Sequence, residues 1–402
     1  MIWHLIHIID ILIWLLLAAS TLYILFFALV STLWEKRINE FTSFLTGKKL
    51  AMREKEYSTF LVLYPAYNED RVIVPSVRTF LGQYYPYNAF HVAVISDHMQ
   101  PETNQALSEL PITLLQPVFE KSSKAKAMQY AMTQIKEDYD YIIIMDADNV
   151  VNSDFLQKLN ESCAYGYRAI QCHRCAKNKD NDIAVLDGVS EEINNTIFRK
   201  AHNRIGLSSA LIGSGMCFDF KLFKKNVYKL TTAGEDREME ALLLQQKVYI
   251  HYEPDIHVFD EKVSNKDNFQ KQRLRWMTAQ VQSLFRMLPY IPQAIKTGNI
   301  DFIDKTAQQA LIPRSMLVVG TFGMSFVMTA FSFLFSLSWY IKWWCLFLTI
   351  CITLYIATPR QLRSHSVFGK LLSLPKLVWR MVMNILKIDR KNTDFIHTSH
   401  DK

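Results

Sequence analysis

Tyr141-Ile142-Ile143-Ile144-Met145-Asp146-Ala147-Asp148-Asn149 sets five apolar or aromatic residues directly before two carboxylates one residue apart. A short, largely β-branched run that is apolar on both faces fits a central strand of a covered parallel sheet. Ligands of open α/β sheets bind at the carboxyl ends of such strands. Asp146 and Asp148 stand at that end. Their hard oxygen donors suit Mg2+ or Mn2+, which takes one or two carboxylates and fills its other positions with water and substrate phosphate. The same residues are compatible with a solvated Asp-rich turn that merely closes a strand.

Outward from this stretch, residues 57–252 alternate short apolar runs with amphipathic segments. Runs at 59–63, 92–95, 112–115, 141–145 and 169–172 read as strands with helices between them, which predicts βαβ units and a largely parallel sheet. The first run leads into Tyr64-Pro65-Ala66-Tyr67-Asn68-Glu69-Asp70 and the second into Ser96-Asp97-His98, both on the edge that carries Asp146 and Asp148. Lys121-Ser122-Ser123-Lys124-Ala125-Lys126 opens a helix, so ammonium groups and free N–H donors meet where an anion such as a nucleotide phosphate would be stabilised. A solvated basic helix start is the plain alternative. Gly213-Ser214-Gly215 allows close backbone approach to a ligand, a weak signal by itself. Glu235 and Asp236 stand at a helix N-terminus, and Gln272-Arg273-Leu274-Arg275-Trp276 lies in a helix that also reads as a membrane-surface segment.

Half of the 402 residues are hydrophobic, with 25 Phe, 18 Tyr and 8 Trp, and this excess falls in discrete stretches. Residues 11–33 carry no charge and are long enough to cross a bilayer. Lys36, Arg37, Lys48, Lys49, Arg53 and Lys55 follow, so the positive-inside rule puts what comes next in the cytosol. Residues 315–337 and 339–357 read as a transmembrane hairpin, giving three crossings. The segment 359–402 holds nine Lys or Arg against three Asp and contains an interfacial helix at 367–387. The expected organisation is a membrane helix (1–34), an α/β domain with interfacial helices at its end (35–312), a hairpin (313–358) and a basic tail (359–402). The basic surplus of 45 against 38 lies beside hydrophobic stretches, which points to membrane lipids and a phosphorylated substrate rather than nucleic acid. Six cysteines form no disulfide framework. Cys172-His173-Arg174-Cys175 imitates half a zinc site but lacks a second pair at suitable spacing, so strand thiols are the expectation.

Taken together, Asp97, Asp146-Ala147-Asp148, Glu235-Asp236 and Gln272-Arg273-Leu274-Arg275-Trp276 resemble the D, DxD, ED and QxxRW motifs of membrane-embedded family 2 glycosyltransferases, relatives of cellulose, chitin and hyaluronan synthases. The resemblance implies an α/β GT-A fold with a Rossmann-like, mostly parallel sheet. It implies that Pro65, Tyr67, Glu69 and Asp97 bracket the nucleotide of a UDP-sugar, that Asp146 and Lys124 or Lys126 meet it, and that Asp148 holds Mg2+ or Mn2+ on the diphosphate. Asp236 would be the base with Glu235 beside it. Gln272 and Arg275 belong to the same catalytic set, and Trp276 would be the acceptor platform. Gly213, Ser214 and Gly215 join the binding residues. One departure is Ser96-Asp97-His98, where relatives carry a double-Asp turn. A faint likeness to a C-terminal gating segment lies in Phe395-Ile396-His397-Thr398-Ser399-His400.

These readings lead to an inverting hexosyltransferase in the inner membrane, with a cytosolic catalytic domain and a processive β-polysaccharide product. Its partners would be a glycan or lipid-linked acceptor and polysaccharide-export subunits. Two rivals remain: a non-processive transferase adding one sugar to a lipid or oligosaccharide, and a catalytically silent member of an export complex.

Overall fold

The computed structural model describes residues 2–33, 56–178, 182–262, 266–334 and 336–363. The basic residues at 36–55, the proposed interfacial helix at 367–387 and the segment 395–400 lie outside the described residues.

Eight strands form one sheet: β1 (Phe60–Tyr67), β2 (Phe90–Asp97), β3 (Thr113–Leu115), β4 (Tyr141–Ile144), β5 (Val150–Val151), β6 (Ala169–Ala176), β7 (Met216–Asp219) and β8 (His251–Asp260). Their order is β3-β2-β1-β4-β7-β6-β8-β5. The pairs β1–β2, β1–β4, β2–β3 and β6–β8 are parallel, whereas β7 is antiparallel to both β4 and β6, and β5 to β8. The sheet is therefore mixed, with six strands sharing one direction. The five strands expected from the sequence are present. β5, β7 and β8 were not anticipated.

Every residue of β4 is buried, because helices cover both sheet faces. Leu61, Leu63, Ile142 and Ile144 point to one core, which includes Met128, Phe223 and Leu243. Phe60, Val62, Tyr141 and Ile143 point to the other, with Val77, Phe155 and Leu159. This two-way alternation is the strand period of two expressed in packing. Where β1, β2, β4, β6 and β8 end, one edge of the sheet receives all their carboxyl termini. β7 starts there instead, with Gly215 N–H bonded to the Ile144 carbonyl at 2.9 Å.

A third cluster joins Leu17, Ile24, Phe27, Leu317, Trp343 and Ile350 to Val189, Ile193, Ile197 and Ala201. The first six derive from hydrophobic helices, and the last four from the helix Asp182–Asn194 and the π-helical turn Asn195–Ala201 that continues it. His202 stacks on Phe27 with ring centroids 3.7 Å apart, and the Tyr23 hydroxyl donates to Asp304 at 2.6 Å. The hydrophobic helices are thus seated directly on the α/β part.

Two described helices are long and apolar enough to cross a membrane, within Ile2–Leu33 and at Leu337–Ala357. The expected third crossing is shorter than the sequence suggests: Arg314–Ala330 has 17 residues and reaches spanning length only together with Ile300–Ala310, from which it is bent by 51°. Leu5, Leu12, Leu16, Leu22 and Phe26 stay exposed along the first helix, an arrangement suited to hydrocarbon rather than water. Asp10 interrupts this apolar surface. It is 3% exposed, ion-paired with Lys342, and accepts a hydrogen bond from Trp343 Nε1 at 2.9 Å. Leaving one partner of a buried pair unmatched costs more than the pair contributes. Asp10→Ala is expected to lower the melting temperature in detergent, and adding Lys342→Leu to restore most of the loss. Simple additivity of the two substitutions would refute the coupling.

Candidate active site

Strand β4 delivers Asp146 and Asp148 to the collecting edge, and the helix Lys124–Gln134 brings Lys124 across from the other side. That helix starts at Ser123, whose hydroxyl accepts from Lys126 N–H at 3.2 Å and so satisfies one of the free donors of its first turn. Lys124 Nζ forms an ion pair with Asp146, donates to the Gly213 carbonyl at 2.6 Å, and lies 3.9 Å from Glu235. Burial opposes the charge on Lys124, but Asp146, Glu235 and Asp236 outweigh it and hold the amine above the usual lysine range. Burial likewise opposes ionisation of Asp146. Lys124 and Arg174 reverse that and keep it below the usual carboxylate range.

Asp148 is 5% exposed; its Oδ2 accepts from the Glu261 N–H at 2.8 Å and its Oδ1 from Asn149 Nδ2 at 3.1 Å. The residue stands in the wall of a cavity of about 1110 Å3. A hard carboxylate oriented by two donors at a cavity edge fits the one-carboxylate mode by which Mg2+ or Mn2+ is shared with substrate phosphates.

Pro65, Tyr67, Glu69 and Asp97 line the same cavity. The neighbouring His98, at φ +57°, holds Asp97 through Nδ1 at 2.6 Å, so an imidazole occupies the position after Asp97. On the opposite wall are Glu235 and Asp236, at the start of the helix Glu235–Gln245, and Gln272, Arg275 and Trp276 from the helix Lys266–Met287. Burial, reinforced by Asp236 and Asp146 against the opposing pull of Lys124, pushes Glu235 up to about 7. Gln272 Oε1 is buried without a hydrogen-bond partner. An orphaned acceptor of this kind carries a desolvation penalty that a hydroxyl-bearing ligand would relieve. The Arg273 guanidinium covers one face of the Trp276 ring at 4.5 Å and pairs with Asp187.

The structure does not bring every expected residue to the cavity. Lys126 is exposed and bonds back to the Lys121 carbonyl at 2.7 Å, because two residues along a helix turn the side chain to the far side. Ser214 and Gly215 lie behind the wall. Gly215, at φ +62°, leaves no room for a side chain, since a Cβ there would meet Val258 at 2.9 Å. Its role is close packing against Val258 and Cys172, whereas Gly213 does line the cavity.

Residues not anticipated as part of the site also line it. Arg174 donates from Nε to Asp260 at 2.8 Å and from Nη1 to the Ile212 carbonyl at 3.0 Å, and Asp260 and Glu261 end β8 beside Asp148. The signal was present: Val258-Phe259-Asp260-Glu261 repeats the pattern of an apolar strand ending in acids. Beyond Trp276 the cavity continues between the hydrophobic helices, past Ile193, Ile312, Val318, Phe322, Phe347 and Leu354.

With this geometry in hand, comparisons with known proteins place the chain. Residues 141–358 match the sequence pattern of glycosyl transferase family group 2. No curated protein sequence matches. Among solved structures, the mannosyltransferase PcManGT from Pyrobaculum calidifontis, in complex with GDP-Man and Mn2+, is similar in fold, with a TM-score of 0.50 and 14% identity over 85% of this chain and 99% of that one. S. aureus TarS 1-349 aligns with a TM-score of 0.43 and 14% identity, over 82% of this chain and 89% of that one. The mixed sheet flanked by helices accords with a GT-A-like fold, and the family match covers more than half of the chain. On that basis the chain belongs to glycosyl transferase family group 2 and is a glycosyltransferase.

Proposed function

We propose that the chain transfers a sugar from a UDP-sugar to a growing glycan with inversion, as a processive β-polysaccharide synthase of the inner membrane whose catalytic part faces the cytosol. The observation that carries this reading is the single cavity that joins Asp146, Asp148 and Asp236 to the hydrophobic helices, so a product extended from Asp236 would grow toward the membrane. Pro65, Tyr67, Glu69 and Asp97 would bracket the nucleotide, and Asp146 with Lys124 would meet its phosphates. Asp148 would hold a divalent cation, Mg2+ or Mn2+, which when bound neutralises charge on the diphosphate leaving group. That a neighbour in fold was solved with GDP-Man and Mn2+ supports the use of a divalent cation.

In the transfer, the bond between the acceptor oxygen and the anomeric carbon forms as the bond to the diphosphate oxygen breaks, its electron pair leaving with the diphosphate. Asp236 takes the acceptor's hydroxyl proton, and Arg275 meets the negative charge that develops on the leaving group. One displacement inverts an α-linked donor to a β-linked product. Gln272 Oε1 would accept from a sugar hydroxyl, and Trp276 would supply a flat apolar face for the acceptor ring. A second reading, transfer of one sugar to a lipid, is favoured by the apolar lining at Ile193, Val318, Phe347 and Leu354, which offers few partners to glycan hydroxyls. Incubation with individual UDP-sugars separates the two. Long β-linked chains support the synthase, a single-sugar glycolipid supports the alternative, and absence of transfer and UDP release with every donor would sink both.

Three substitutions test the assignments. Asp148→Ala should lower metal-dependent turnover by about two orders of magnitude or more, and undiminished turnover with Mn2+ would remove the residue from the cation site. Trp276→Ala should cost on the order of 100-fold in transfer, with Trp276→Phe less affected and donor affinity within a few fold. Parental transfer rates in the Ala variant would return Trp276 to a packing role. Glu235 concerns stability: its native value of about 7 lies above its ordinary 4.5, so the protonated form favours folding below pH 4.5 and that contribution is lost as pH rises to about 7. Glu235→Gln should therefore flatten the fall in melting temperature over that range, measured without donor. An unchanged slope would contradict the burial of this carboxyl.

A further inference from the structure

Strands β6 and β8 pair with a break in register. Cys172 faces Glu253, yet the next residue, His173, faces His257, so Pro254, Asp255 and Ile256 bulge out of β8. Such insertions re-aim side chains, and this one sets two imidazoles side by side, with ring centroids 5.0 Å apart. The bulge also supplies an orienting contact: the Pro254 carbonyl accepts from His173 Nδ1 at 2.9 Å, which turns Nε2 toward Glu192 of the helix Asp182–Asn194, 3.0 Å away. Cys175, two residues along β6 and on the same strand face as His173, completes the group. One ligand atom each from His173, Cys175 and His257 lie within 4.8 Å of one another. None of these four residues lines the large cavity, into which the intervening Arg174 points.

We propose that His173, Cys175, His257 and Glu192 form a second cation site, for a zinc-class divalent metal, separate from the hard site at Asp148. Two imidazoles, a thiolate and a carboxylate are the donors that select such a metal over Mg2+ or Mn2+. A His ligand whose other ring nitrogen is held by a backbone carbonyl is the usual outer-shell arrangement. Cys175 and Glu192 each bring one negative charge when ligating, so a divalent cation leaves the group neutral. Bond lengths of about 2.0–2.3 Å require the His173, Cys175 and His257 donor atoms, within 4.8 Å of one another, to close by roughly 1 Å, with Glu192 joining from beside His173 Nε2. The cation would cross-link β6, β8 and the helix at the register break. Arg174 and Asp260 lie on these same two strands, so the site would fix the alignment of a pair that lines the large cavity.

The test is titration of the purified full chain, free of affinity tags and chelator, with Co2+ and then Zn2+. A thiolate-to-cobalt band in the near ultraviolet at one equivalent, abolished by Zn2+, is expected. Cys175→Ser should remove the band, and His257→Gln should weaken Co2+ binding at least tenfold. Cys345→Ser and Asp148→Ala should leave the band unchanged, the second variant separating this site from the proposed donor-side cation. Zn2+ should also raise the melting temperature of the parent but not of His257→Gln, a readout that stands even if Cys175→Ser fails to fold. No thiolate band in the parent, or a band that survives in Cys175→Ser, would overturn the proposal.

Discussion

Several carboxylates cannot crowd one wall of a cavity unless something positive is built among them, and here that element is Lys124. Its ammonium meets Asp146, the Gly213 carbonyl and Glu235, three groups supplied by the end of β4, the approach to β7 and the start of a helix. Breaking such a pair strands a charge in a low-dielectric setting, at a cost well beyond that of an exposed ion pair. The carboxylates are consequently driven apart in behaviour. Asp146, beside Lys124 and Arg174, stays ionised, whereas Glu235 retains its proton to about 7. Two acids in one cavity with opposite protonation are the starting condition for acid–base work near neutrality.

Much of this was written locally, and some of it was not. Nine residues around β4 announce a strand with acids at its end because the apolar run and the carboxylates are contiguous. β8 escaped because Pro254 and Asp255 interrupt its pattern, and proline inside a run argues against a strand. The structure accommodates both residues in a bulge, a solution that depends on β6 and is invisible from β8 alone. β7 is four residues long, too short to show a period. Lys124 and Lys126 are interchangeable as text, and only the docking of their helix decides which one turns inward. Gly215 similarly reads as a ligand-approach glycine until Val258 is seen where its Cβ would be. The pairing of Arg174 with Asp260 spans 86 residues and could not be read from either neighbourhood.

The boundary between the α/β part and the hydrophobic helices is a packed one. Asp182–Asn194 and its π-helical continuation contribute to the cavity wall through Ile183, Val189 and Ile193, while Val189, Ile193, Ile197 and Ala201 also belong to the cluster around Trp343. Arg199, on the π-helical turn, binds Glu191 at 3.2 Å and the Ala210 carbonyl at 3.2 Å, a link that runs toward Gly213. The short Arg314–Ala330 helix opens beside this segment, with Arg314 Nη2 donating to the Ser190 carbonyl at 3.0 Å. Tight packing transmits displacement, so a tilt of these helices would reach the rim of the cavity without any hinge.

The pairing of Asp10 with Lys342 has a consequence for how the molecule is made. The two residues are 332 positions apart, and ribosomes add roughly 5–20 residues each second. For tens of seconds the first helix therefore exists before its carboxylate has these partners, and an acidic residue weakens insertion by about 3 kcal/mol at the centre of a span and by less toward its ends. Arrival of the Leu337–Ala357 helix ends that interval by supplying both the ammonium and the Trp343 indole. A chain truncated before that helix would lack both groups that hold the Asp10 carboxylate, so the earliest segment depends for its one buried acid on the last described helix long and apolar enough to span a bilayer.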